Sequence, residues 1–414
     1  MGSENGRNFA HAKSSTEGED IMKLLLVYLA PFIISTGGAE KVCCDMANAM
    51  VERGHDVSIL YCYGKVGMPF FPLNNKVRLC NLMSLHPEKW KGQLEPKLPQ
   101  IQKIIREALR VFSISQAHGW EENYFGNLMK SDLQEMLQRE QPDLIICNWP
   151  KEANYLINYT KTKIPVITRF HFGAQILAKN SSPGSKKACC KSRCISVLLH
   201  GDLGYLKKYI PNARSVVIPN VVPQYQQKTA LLSQKKEIYT IINIARLDKH
   251  SKRQHLLIES FAKLAMKYPK WRVELWGEDW DKRYKKELVN LVSKYHLENR
   301  VFFRGVTHDV LGKNLQADIF AWPSAYEGFG LAMAEAMSAG LPVVAFHSCQ
   351  AAREIVGKDC GILVSDGASA FSEGLEELMK NREMRVRMGV NAKESMKQYA
   401  ADKIWQKWEE MIQG

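Results

Sequence analysis

From Met22 onward the chain alternates short, nearly uninterrupted apolar runs with amphipathic stretches, and it does so twice. Lys23–Tyr28, Asp56–Tyr63, Asp143–Asn148, Pro165–Phe170, Ile195–His200 and Ser215–Pro219 read as buried strands. Thr240–Ala245, Arg272–Trp276, Arg300–Arg304, Asp318–Trp322, Pro342–Phe346 and Gly361–Val364 then repeat the pattern. Strands apolar on both faces need cover on both faces, which points to parallel sheets between layers of helices. The segments between them supply those helices, notably Ala39–Arg53, Arg253–Lys267 and Arg283–His296. Between the two series, Asn220–Lys236 becomes polar (Gln224, Gln226, Gln227, Lys228) and reads as a linker. With 414 residues the chain is too long for one core. The expectation is an α/β chain of two doubly wound, Rossmann-like domains, residues 22–222 and 223–398. Ligands of such folds bind beyond the carboxyl ends of the strands, so a cleft between the two sheets is the expected site.

A formal net charge of +14 calls for anionic partners. No recognised module or basic stripe interleaved with aromatics is present, so nucleic acid is not expected among them. Of the ten cysteines, Cys43, Cys62, Cys147 and Cys349 lie in or beside apolar runs, as reduced thiols of a cytoplasmic protein would. Cys189, Cys190 and Cys194 have neither C-x2-C spacing nor a second knuckle, so no zinc site is expected. The longest apolar run, Leu24 to Ile34, is broken by Pro31 and falls short of a membrane span. Residues 1–21 are polar and patternless and read as a disordered leader or tag.

Three segments carry chemistry. Gly37-Gly38-Ala39-Glu40 follows the first strand and opens a helix, where backbone amides can approach an anion, although a plain turn has the same composition. It is not G-x-G-x-x-G, so a nicotinamide cofactor is not implied. Arg246 follows the buried run Ile241–Ala245, with Lys252 beyond it; a guanidinium beside an ammonium at a strand end suits a diphosphate. The third segment constrains most. The strand ending at Trp322 leads into Tyr326-Glu327-Gly328-Phe329-Gly330 and a helix Leu331–Ala339. Gly328 and Gly330 free the backbone to present amides at a helix start, and Glu327 can accept hydrogen bonds from sugar hydroxyls. Glu335 sits among Ala332, Ala336 and Ala339, nearly two turns from Glu327, placing the two carboxylates about 10 Å apart on one side. That spacing suits two parts of one long ligand better than a retaining-hydrolase pair.

Glu327 and Glu335 match the E-x7-E pattern of retaining GT-B glycosyltransferases, and the block Ala317–Phe346 resembles the donor-site signature of family 4. Arg246-Leu247 with Lys252 and Leu256-Leu257-Ile258-Glu259 is similar to that family's diphosphate-binding segment. Gly37-Gly38-Ala39-Glu40 and Val217-Ile218-Pro219-Asn220 fit its N-terminal half, and the resemblance spans residues 22 to 412. It implies a GT-B fold with an N-terminal acceptor domain, a C-terminal nucleotide-sugar domain, and a C-terminal helix 399–414 that packs back on the first. By resemblance, Glu335 binds the nucleotide ribose, and Glu327 with the amides of Phe329 and Gly330 holds the transferred sugar. The same donor set takes in Gly37, Gly38, Gly328 and Leu331, and backbone near Gly305-Val306 meets the base. Arg246 and Lys252 neutralise the leaving diphosphate, and His171 stands near the reacting sugar. The family transfers with retention and without metal, so no cofactor is implied beyond the donor itself. Two departures are Trp276-Gly277-Glu278, where two glycines are usual, and His200, where serine is common.

The implied partners are a nucleotide-sugar donor, UDP- or GDP-linked, and a glycan or lipid-linked acceptor of cell-surface polysaccharide or lipopolysaccharide synthesis. A sugar-nucleotide epimerase or related enzyme using the same cleft would need no acceptor, and a plain anion-binding protein would bind without transfer. Asp279-Trp280-Asp281 has the D-x-D form of metal-dependent enzymes of another fold, but at a helix start it reads as a cap. Ile101–Phe112 sets Ile101, Ile104, Ile105, Ala108, Leu109 and Phe112 on one face, with Lys103, Arg106 and Arg110 elsewhere. That pattern fits equally a helix on the sheet and a helix lying on an anionic membrane surface, which would make the protein peripheral at the inner face.

Overall fold

The computed structural model describes residues 20–225 and 229–414. The expected leader lies outside the described residues except at its end, as does part of the linker, residues 226–228. Seven strands form the first sheet: β1 Lys23–Tyr28, β2 Asp56–Tyr61, β3 Arg78–Asn81, β4 Leu144–Cys147, β5 Val166–Arg169, β6 Cys194–Val197 and β7 Ser215–Val217. Six form the second: β8 Tyr239–Ile244, β9 Trp271–Trp276, β10 Val301–Gly305, β11 Ile319–Trp322, β12 Val343–Phe346 and β13 Gly361–Val364.

Their spatial orders are β3-β2-β1-β4-β5-β6-β7 and β10-β9-β8-β11-β12-β13. All the pairings are parallel, with β1 in register against both β2 and β4, and β8 against both β9 and β11. In each sheet the order reverses beside the first strand, between β1 and β4 and between β8 and β11. A crevice opens at such a point because the loops leaving the two strands run to opposite faces.

Burial follows the sequence pattern. Leu24, Leu25, Leu26 and Val27 of β1 are all buried, split between clusters on the two faces of the first sheet. Ile241 and Ile242 do the same for the second. The C-terminal helix Ala401–Gln413 returns to the first sheet, seating Ile404, Trp405, Trp408 and Ile412 in its core. Its Glu409 meets His55 at 2.8 Å, deep between the helix and the start of β2.

Local details depart from the sequence pattern or add to it. The run Ile195–His200 is a strand only to Val197, and His200 opens a helix, His200–Tyr209. The helix expected over Arg253–Lys267 spans Gln254–Ala262. The edge strand β3 and the long helix Ile114–Glu140 are additions that the sequence pattern does not announce. Finally, Gln100–Phe112 is helical, but it rests on Ile114–Glu140 and not on the sheet.

Candidate functional site

The loops leaving β8 and β11 meet at the crevice of the second sheet, and both carry candidate residues. Asp248 braces the first loop, accepting from the amides of His250 at 2.9 Å and Ser251 at 2.8 Å. This turn sends Lys252 back over the strand ends, where its ammonium ion-pairs with the Glu327 carboxylate. The pair is mostly enclosed, with side-chain exposures of 15% and 12%. The ammonium also lies 5.4 Å from the centre of the Trp322 ring. Arg246 is more open: its guanidinium stacks 5.0 Å from the Trp280 ring and reaches Asp248 at 3.5 Å. Arg253, at φ +51°, anchors the β11 loop by donating to the Pro323 carbonyl at 3.0 Å.

The β11 loop is shaped by its glycines. Gly330 takes φ +81° at the entry to helix Leu331–Ser338, a left-handed conformation that costs other residues about 1 kcal/mol. Gly328 is constrained by approach: a Cβ there would stand 2.3 Å from the His171 carbonyl oxygen, across the cleft. Phe329 buries its ring against Tyr399, so it can offer a ligand only its backbone. Gly277 resolves one sequence departure. A Cβ there would lie 2.0 Å from the Ala245 carbonyl, so the single glycine of Trp276-Gly277-Glu278 lets β9 pass the start of the Arg246 loop. Val306 follows β10 and is 53% exposed.

Glu335 is 8% exposed and faces the other domain, where Lys41 approaches at 3.5 Å. Burial raises the Glu335 pKa, with Lys41 offsetting part of the rise. Burial alone would lower the pKa of Lys41, but Glu335 and then Asp45, at 3.2 Å, outweigh it. Lys41 lies in the first turn after Gly37-Gly38, and Leu331 comes within 3.5 Å of a Cβ placed at Gly38. The glycine segment of the first domain therefore faces the start of helix Leu331–Ser338. Glu327 and Glu335 thus bind different cations, one from their own domain and one from across the cleft.

The crevice of the first sheet holds His171. Its Nε2 is 2.6 Å from Asn148 Oδ1, which also accepts from Arg169 at 3.2 Å. The amide cannot be reversed without loss, because its nitrogen donates to the Val27 carbonyl at 2.8 Å. His171 must therefore carry its proton on Nε2, leaving Nδ1 as an acceptor. Burial, followed by the charge of Arg169, holds its pKa well below the ordinary histidine value, so the ring is neutral. Arg169 is itself buried, 5.0 Å from the centre of the Trp408 ring, which brings the returning C-terminal helix beneath this network.

Glu152 fixes the same corner. Its carboxylate accepts from the amides of Leu29 at 2.7 Å, Asn148 at 2.8 Å and Trp149 at 3.0 Å, tying the β1 loop to the β4 loop. Burial pushes its pKa up to about 7 despite those donors. Asn148, Glu152 and Lys41 are site residues that the motifs do not reveal. The D-x-D carboxylates are occupied: Asp281 caps helix Lys282–Lys294 through the amides of Arg283 and Tyr284, and Asp279 pairs with Lys285 at 3.1 Å.

Two family models cover most of the chain: Glycosyltransferase Family 4 over residues 36–224 and Glycosyl transferases group 1 over residues 226–395. An exopolysaccharide phosphotransferase of Streptomyces coelicolor is 24% identical over 91% of the chain, which spans only 39% of that protein. The amylovoran biosynthesis glycosyltransferase AmsD of Erwinia amylovora is 21% identical over 94% of the chain and 99% of its own length. Among solved structures, Anabaena HepE in complex with UDP and glucose superposes with a TM-score of 0.66 at 19% identity, over 94% of this chain and 99% of that one. With two parallel-sheet domains, crevices facing one cleft and both family models in order, the chain belongs to the group 1 glycosyltransferases of family 4 type, with the GT-B fold.

Proposed function

We propose that the protein is a retaining, metal-independent hexosyltransferase that takes a UDP- or GDP-sugar and glycosylates a hydroxyl of a glycan or lipid-linked acceptor. The reading places it in cell-surface polysaccharide or lipopolysaccharide synthesis, at the cytoplasmic face of the membrane. The AmsD relative's role in amylovoran biosynthesis and the Anabaena neighbour's complex with UDP and glucose support that class of product and donor. The observation that carries the reading is the Lys252–Glu327 ion pair at the mouth of the glycine loop, with Arg246 at the start of the loop that bears Lys252.

Without donor the two charges neutralise each other. A nucleotide-sugar supplies each with its own partner, diphosphate oxygens for Lys252 and sugar hydroxyls for Glu327. The bond between the anomeric carbon and the phosphate oxygen then breaks while the acceptor oxygen bonds to the same face of that carbon. The acceptor proton passes to the departing phosphate. Arg246, Lys252 and the amides opening helix Leu331–Ser338 stabilise the charge growing there. Glu335 binds the ribose, backbone beside Val306 meets the base, and Gly37 and Gly38 close over the phosphates. Leaving-group stabilisation by fixed cations requires no metal, consistent with a D-x-D whose carboxylates are already engaged.

Arg246→Ala and Lys252→Ala should each lower turnover by about 100-fold or more while the protein stays folded. Wild-type turnover in both would overturn the assignment, and loss of activity in excess EDTA would overturn the metal-free mechanism. Titrating UDP- and GDP-sugars against melting temperature identifies the base, because only a ligand of the folded state raises it.

A further inference from the structure

The two carboxylates of Asp279-Trp280-Asp281 face Lys285 and the first amides of helix Lys282–Lys294, but the tryptophan between them faces elsewhere. Trp280 is 63% exposed, a high figure for so large an apolar side chain. Its ring lies against the Arg246 guanidinium, whose carbon is 5.0 Å from the ring centre. The backbone on both sides of the ring is fixed. The Glu278 carbonyl accepts from the Trp280 amide and from the Leu247 amide, both at 2.9 Å, which stitches this turn to the residue after Arg246. On the other side, Asp281 accepts from the Arg283 amide at 2.9 Å and from the Tyr284 amide at 3.2 Å, and Tyr284 is buried. The D-x-D motif thus holds an indole at a set place just beyond the carboxyl end of β8.

What the indole offers Arg246 is a flat face. A guanidinium stacked on an aromatic ring keeps its N–H donors in its own plane, so its edges stay free for the paired oxygens of a phosphate. No hydrogen bond from the Arg246 guanidinium to protein is found among the described residues, and its one carboxylate neighbour, Asp248, stands 3.5 Å away. At 47% side-chain exposure, an arginine without the stack would spread over many rotamers and pay the entropy of ordering when a ligand arrives. The second cation of the site has the same kind of neighbour: the Lys252 ammonium lies 5.4 Å from the centre of the Trp322 ring. A tryptophan that served only to pack its own turn would be covered by that turn, which the exposure of Trp280 contradicts.

We propose that Trp280 is a positioning residue for diphosphate binding, its ring holding the Arg246 guanidinium flat with its edge donors free for the phosphates of the donor. This deepens the proposed function and rests on its assignment of Arg246 to the diphosphate.

Affinity for UDP and for GDP is measured by calorimetry on the full chain, for wild type, Trp280→Leu, Trp280→Phe, Arg246→Ala and the double variant Trp280→Leu/Arg246→Ala. With whichever nucleotide binds more tightly, Trp280→Leu should weaken binding about fivefold and Trp280→Phe by less than about twofold, because phenylalanine keeps a face for the cation and leucine does not. In the Arg246→Ala background, Trp280→Leu should cost nothing further, since the cation it acts through is gone. The melting temperature without nucleotide should be the same in wild type and Trp280→Leu, as the ring is exposed. Wild-type affinity in Trp280→Leu overturns the proposal. So do equal losses in the leucine and phenylalanine variants, or a loss that recurs in full on top of Arg246→Ala. If Arg246→Ala binds nucleotide as wild type does, or wild type binds neither nucleotide, the diphosphate reading of Arg246 fails and the role of Trp280 falls with it. A weakened Arg246→Ala beside an unchanged Trp280→Leu removes the role of Trp280 alone.

Discussion

The Arg169–Asn148–His171 relay makes a prediction of its own at the scale of single residues. Neutral His171 with its proton on Nε2 can only accept at Nδ1, so it suits a hydroxyl and not an anion. Asn148→Asp would place a carboxylate against the ring and against Arg169. That charge returns the imidazole pKa toward its ordinary value near 6.5, so the ring gains a proton below that pH and loses its acceptor. The variant should lose turnover several-fold between about pH 8 and pH 6, while wild type, already neutral there, shows no such limb. Matching pH profiles would refute the relay. His171 is legible in the sequence only through the family resemblance, since a histidine at a strand end is by itself more often structural, and Asn148 is not legible at all. Nothing in local spacing relates positions 148, 169 and 171, which only the pairing of β4 with β5 brings together. The same holds for Glu335, visible as a lone carboxylate among alanines while its partner Lys41 lies on the other domain.

Elements are readable in proportion to how their burial shows in a local pattern. β1, β8 and β11 are buried on both faces and appear as apolar runs, whereas β3 is a four-residue edge strand with no buried position. Helix Ile114–Glu140 hides Glu122 and Asp132 in its packed side, which spoils its periodicity. Glu122 is satisfied there by Asn154 at 2.7 Å and Ser185 at 2.8 Å. For Gln100–Phe112 the pattern is correct but does not tell a packed face from a free one. The loops answer to geometry more than to pattern. Glu152 holds three backbone amides, and a glutamine in its place would turn an NH2 group toward at least one of them. Glu152→Gln should therefore lower unfolding stability by about 1–3 kcal/mol in a denaturant titration, and a change under about 0.5 kcal/mol would remove Glu152 as the brace of this corner.

At the level of the whole molecule, the two domains meet through carboxylates as well as through the β11 loop. Glu354 of the second domain accepts from the amides of His200 at 2.8 Å and Gly201 at 2.9 Å, capping helix His200–Tyr209 from across the cleft. A backbone contact of this kind explains why histidine is accommodated at position 200. Beside it, Asp202 accepts from the Ala174 amide at 3.1 Å and from Gln350 at 3.3 Å. Burial, with Glu354 adding to it, raises the Asp202 pKa to about 6. The folded state thus binds a proton that the unfolded chain releases near pH 4, so this contribution to stability is complete below about pH 4 and is lost as pH rises through 6. Asp202→Asn keeps an acceptor for Ala174 and cannot ionise. Stability measured against pH should therefore fall in wild type relative to the variant between pH 4 and 6, by on the order of 2 kcal/mol, and run parallel above that. Because the same deprotonation sets Asp202 against Glu354, the contact between domains should loosen over the same window. A gap between the two stability curves that stays constant from pH 4 to 7 would show that Asp202 ionises as an ordinary carboxylate and plays no part in closing the cleft.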